Sequence, residues 1–113
     1  MIYLDNAATS FPKPKSVIKE VSDCLNKYCG NPGRGSHKLA SEASQIVYEC
    51  REAAAGMFVC DPERVVFTLN ATHALNIAIK GVLNPGDHVI TTALEHNSVL
   101  RPLYELEDRG IQL

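Results

Sequence analysis

No apolar run in these 113 residues approaches the roughly 20 that a membrane span needs, so a helical transmembrane segment is excluded. The opening stretch, MIYLDNAATS, has no basic cluster followed by an apolar core, and it is not expected to be a secretory signal. Charge of one sign is not in excess. With 11 basic and 13 acidic residues the net charge is −2, which gives no footprint for nucleic acid or an anionic membrane. Internal repeats and low-complexity tracts are also missing. The four cysteines (Cys24, Cys29, Cys50, Cys60) are spaced too irregularly for a zinc motif, and no metal site is expected. Three of them fall inside or at the end of helical patterns, where small buried thiols are expected. Such cysteine usage fits a reducing cytoplasm.

What remains is ordinary globular composition, 45% hydrophobic and 21% charged, in a length suited to one domain with a modest core. Residues 1–15 read as an irregular arm stiffened by Pro12 and Pro14. From Ser16, the residues Val17, Ile18, Val21, Leu25 and Tyr28 recur at helical spacing, and GNPGRG ends that helix. A longer helix follows, with a stripe of Leu39, Ala43, Ile46, Val47, Cys50, Ala54 and Met57, and Ser36 as its expected N-cap. Asp61 and Pro62 then turn the chain into an apolar run at 64–68 (Val65, Val66, Phe67), which reads as a buried strand. A helix to about Val82 carries Leu75 and Ile79. NPGD at 84–87 is a turn, HVITT a second buried-type strand, and LEHNSVL leads into a third amphipathic helix through about Asp108. Gly110 releases IQL, the start of another strand.

Strands alternating with helices predict an α/β fold whose parallel sheet needs helices on both faces. Two strands and a stub are too few to close such a sheet. The chain therefore reads as an N-terminal piece of a larger enzyme, the other reading being a small complete α+β domain.

Between the strand at 64–68 and its helix the residues are, Leu69 apart, small or polar. A helix N-terminus offers unpaired N–H groups and the positive end of the dipole, and small residues let a phosphate approach them. LNATH is thus a candidate phosphate cradle, although Asn70 or Thr72 serves equally well as a plain helix cap. It is no P-loop, lacking the glycine pair and the lysine. TTALEHNSVLRP repeats the layout of strand end, loop and helix, and places His96 on the loop. An imidazole there can lie against an aromatic ring or move protons, and it can equally be a solvated side chain. A phosphate cradle beside a flat aromatic suits a planar phosphorylated cofactor such as pyridoxal phosphate.

Four segments, YLDNAAT, NPGRGSH, VVFTLNATHALNIAIKG and ITTALEHNSVLRP, resemble in order and interval the N-terminal third of cysteine desulfurases, within the class-V aminotransferase family of pyridoxal-phosphate enzymes. The resemblance covers nearly the whole chain. It implies that residues 16–113 carry the first βα units of the large domain, a mostly parallel sheet covered by helices and incomplete within this chain. It implies pyridoxal 5'-phosphate as cofactor, its phosphate held by Ala71, Thr72 and the backbone of His73, and its ring stacked on His96, which also shuttles protons. It puts Asn6, Ala7 and Ala8 near the substrate pocket, and Arg34 and His37 at the active-site entrance, across a homodimer interface.

Lys38, in SHK, looks like the family's Schiff-base lysine but precedes every cofactor strand, so it reads as a solvated first-turn residue. The resemblance places the Schiff-base lysine, the carboxylate for the ring nitrogen and the sulfur-accepting cysteine outside these 113 residues, so that the segment alone is expected to be inactive. The implied reaction takes L-cysteine to alanine and an enzyme persulfide, with a sulfur-acceptor protein and iron–sulfur cluster assembly downstream. Selenocysteine lyases and transaminases share this apparatus, and a non-catalytic binding module retaining the fold is the reading from another class.

Overall fold

The computed structural model describes residues 2–113 as four α-helices and one short 3-10 turn. They fall into two units, one through Val65 and one of Val66–Leu113.

In the first unit the arm folds on itself. The Tyr3 hydroxyl reaches the carbonyls of Asp5 (3.1 Å) and Thr9 (2.8 Å), and its ring meets Phe11 edge-on with centroids 5.6 Å apart. Helix α1 (Lys15–Lys27) follows Pro14. Asp23 sits one turn from both Lys19 (2.7 Å) and Lys27 (2.8 Å). Those two ammonium groups hold its carboxyl well below the usual range, at about 2.

Helix α2 (Lys38–Phe58) is capped by His37, whose Nδ1 accepts the Ala40 N–H at 3.3 Å. The expected cap, Ser36, is thereby corrected. The cap must be the extended residue whose acceptor reaches the third helical N–H, and His37 (φ −84°, ψ 157°) is that residue. Before it, Gly30 lies so close to the first turn of α2 that a Cβ would stand 2.3 Å from the Leu39 carbonyl oxygen. Only glycine permits that approach. The buried positions of α2 are small: Ala40, Ala43 and Ala55. The helix ends with Val59 in the left-handed region (φ 54°, ψ 51°), and a 3-10 turn, Pro62–Arg64, closes the unit.

The second unit holds α3 (Ala71–Val82) and α4 (Asn97–Glu107), packed against each other. Leu103, Leu106 and Ile111 form its buried centre. Glu105 joins the helices: it takes Lys80 of α3 at 2.5 Å and Arg109 at 2.6 Å.

The strand expectations need correction. Residues 65–68 form no strand and pair with none among the described residues, and Val66 and Phe67 are 71% and 55% exposed. HVITT and IQL meet only in one parallel bridge, His88 with Gln112, held by the Val89 N–H to the Gln112 carbonyl (2.8 Å) and the Gln112 N–H to Asp87 (2.9 Å). Ile90 is 88% exposed rather than buried. Parallel ladders need several neighbours and cover on both faces, and a single bridge supplies neither. The stripe of α1 (Val17, Ile18, Val21, Leu25) is also exposed, as are Leu39, Met57 and Val82. The thiols differ as well: Cys24 is half-buried, while Cys29, Cys50 and Cys60 are exposed. Among the described residues no helix is long and apolar enough to cross a membrane.

Candidate functional site

The turn into α3 is built from its polar residues. Asn70 is the N-cap: its backbone is extended and its Oδ1 accepts the His73 N–H at 2.9 Å. The Thr68 hydroxyl donates to the Asn70 carbonyl (3.0 Å), and His73 Nδ1 takes the Leu69 N–H (3.4 Å), folding that ring back over the turn. The Ala74 N–H closes onto the Asn70 carbonyl. This leaves the N–H groups of Ala71 and Thr72, and the Thr72 hydroxyl, with no protein acceptor among the described residues. Asn70 is therefore the structural cap, and Ala71 and Thr72 are the groups open to an anion.

His96 does for α4 what Asn70 does for α3. Its Nδ1 accepts the Ser98 N–H at 3.1 Å and lies 2.8 Å from the Ser98 hydroxyl. The neutral ring therefore keeps its proton on Nε2, and the ring itself is exposed. Ahead of it, the Thr92 hydroxyl donates to Glu95 (3.1 Å), ordering the loop.

Thr72 and His96 line one hollow of about 250 Å³ between α3 and α4, together with Asn76 and Arg101. Two residues singled out separately by sequence, 24 positions apart, share one wall. Glu105 lines it too, but is taken by Lys80 and Arg109, which also hold its pKa down. The unpaired charge facing the hollow is that of Arg101, which forms no ion pair among the described residues. Arg101 and Asn76 were not found by sequence reasoning. Helical spacing could have shown Asn76, one turn beyond Thr72, whose carbonyl it bonds at 3.0 Å.

The remaining candidates lie in the other unit. Asn6 Oδ1 accepts the Phe11 N–H at 3.1 Å and so closes the arm; Ala7 and Ala8 are exposed beside it. Arg34 is exposed on the Gly33–Gly35 loop, and His37 is the α2 cap. Lys38 is a surface residue, 87% exposed, paired with Glu42 at 3.7 Å.

The family model for class-V aminotransferases matches residues 2–113. The chain belongs to that family. It is 39% identical, over 99% of its length, to the cysteine desulfurase IscS of Neisseria meningitidis serogroup C, and 34% identical to a probable cysteine desulfurase of Methanothermobacter thermautotrophicus. It spans 28% of each of these relatives. Among solved structures it matches the apo cysteine desulfurase from Thermococcus onnurineus NA1 with a TM-score of 0.86 and 34% identity, covering 99% of this chain and 29% of that one. The fold is thus the N-terminal region of an α/β pyridoxal-phosphate transferase, and the resemblance to cysteine desulfurases holds in structure as well as in sequence. The class-V aminotransferases are enzymes.

Proposed function

We propose that this segment is the N-terminal part of a pyridoxal-phosphate-dependent cysteine desulfurase, which converts L-cysteine and an enzyme thiol to alanine and an enzyme persulfide. The observation that carries the reading is the shared hollow of Thr72 and His96. The residues present fit the cofactor's two ends. The free N–H groups of Ala71 and Thr72, the Thr72 hydroxyl and the Arg101 charge suit a phosphate, and the exposed His96 imidazole offers a flat face for the ring. When bound, the cofactor supplies an electron sink that acidifies the substrate Cα–H.

The chain's own residues then have distinct tasks. Ala71 and Thr72 hold the anion, with the His73 N–H kept on Asn70 as part of the same turn. His96 orients the ring and, through its Nε2 edge, gives or takes a proton, while its Nδ1 stays on Ser98. Asn6, Ala7 and Ala8 shape the substrate pocket, and Arg34 and His37 serve its entrance from a second subunit of a homodimer. In this reading residues 1–15 are an arm and 16–113 part of the cofactor-binding domain. The names of the relatives support cysteine as substrate. The same reading carries a cytoplasmic setting and delivery of the sulfur to an acceptor protein for iron–sulfur assembly.

The test is a desulfurase assay on the full-length polypeptide carrying this sequence. L-cysteine should yield equimolar alanine and persulfide-bound or released sulfur, dependent on pyridoxal phosphate. Amino transfer to a keto acid, or preference for selenocysteine, would refute the assignment.

A further inference from the structure

We propose that the hollow beside Arg51, in the first unit, is a carboxylate-binding site. It is independent of the cofactor reading. The hollow, of about 420 Å³, is lined by Pro32 and Gly33 on the loop and by Ser44, Val47, Tyr48 and Arg51 on α2. Its rim on one side is already satisfied: the Gly33 N–H donates to the Ser44 hydroxyl (3.2 Å), which donates on to the Ala40 carbonyl (2.9 Å). Arg51 is not. Its Nε is buried and has no hydrogen-bond partner among the described residues.

A buried guanidinium nitrogen without an acceptor is rare, because it loses its hydration and gains nothing in return. The helix itself gives no remedy. The positions one turn away are Val47, Tyr48, Ala54 and Ala55, none of them an anion. The neighbouring Glu49 holds Gln45 at 3.1 Å, Glu42 pairs with Lys38, and Glu52, next along the helix, makes no bond to Arg51 among the described residues. The hollow thus contains one fixed positive charge in a planar fork, no second cation, and a tyrosine in its wall. The fork fits carboxylate and phosphate alike, but a single cation with no second one beside it balances the one charge of a carboxylate and not the two of a phosphate, so the ligand class is a carboxylate. The carboxylate comes from an acidic side chain of the same polypeptide or from a small carboxylic acid.

Arg51→Met in the full-length protein separates these cases. Methionine keeps the stem's packing and removes the charge. With a protein carboxylate facing it, the substitution strands that anion, and the melting temperature should fall by about 4 °C or more. With a small acid as ligand, sodium acetate should raise the melting temperature of the wild type above that in sodium chloride of equal ionic strength, and should not do so for Arg51→Met. If Arg51→Met does not fold, Arg51→Lys decides: a charge without the fork should melt below wild type, and equality with wild type overturns the proposal. A methionine variant at or above wild-type stability, with acetate moving neither protein, overturns it as well.

Discussion

Replacing Thr72 with alanine separates binding from folding, because the Thr72 hydroxyl has no partner among the described residues while lining the hollow it shares with His96. The fold should hardly notice. Thr72 is exposed at the second position of α3, and alanine is the better helix former there by a few tenths of a kcal/mol. Cofactor affinity should change much more. A hydrogen bond from that hydroxyl to a phosphate is charge-assisted and contributes about 1.5–3 kcal/mol, which is about 10- to 150-fold in dissociation constant. The measurement is an absorbance titration of the full-length apoprotein with pyridoxal phosphate, with a thermal melt of the apoprotein beside it. An unchanged dissociation constant at unchanged stability would refute the phosphate cradle and leave the turn as a helix cap alone.

Asn70→Ala should do the reverse first: loss of the bond to the His73 N–H lowers stability by about 1 kcal/mol, visible in the urea midpoint, and an unshifted midpoint would contradict the cap. His96→Asn keeps a capping acceptor and removes the ring, so the melt should stay near wild type while desulfurase turnover falls by about 10²-fold or more; retained turnover would remove His96 from the chemistry. Val59→Gly should stabilise by about 0.5–1 kcal/mol, since it relieves a β-branched residue at φ 54° that is 92% exposed, and a lower urea midpoint would count against strain there. Asp23, depressed to about 2 by Lys19 and Lys27, stabilises above the ordinary carboxylate value of 3.8 and loses that contribution as pH falls toward 2. The stability difference between wild type and Asp23→Asn should therefore be present near pH 5 and shrink toward pH 2; a difference that is independent of pH would show that Asp23 acts through something other than its charge.

The helices were legible in the sequence, and for a local reason. The three- and four-residue steps of α2, the breakers GNPGRG and NPGD, and the release at Gly110 act within a few residues, so α3 and α4 lie where their patterns placed them. The four family segments were legible too, and they carried the family and the candidates Thr72 and His96. The strands were not. An apolar run such as Val65–Phe67 records only that a segment is suited to a sheet, and whether it pairs depends on partners far along the chain. Caps were decided by geometry at single-residue precision, which is why His37 rather than Ser36 holds α2 and why Asn70 rather than Thr72 holds α3. Only the tertiary packing of α3 on α4 could bring Thr72, His96 and Arg101 to one hollow, because that contact crosses a loop whose length says nothing about the angle at which the helices meet. The burial of Arg51 Nε, and the hollow it shares with Pro32 and Gly33, were equally invisible in sequence, since both depend on how the loop and α2 come together.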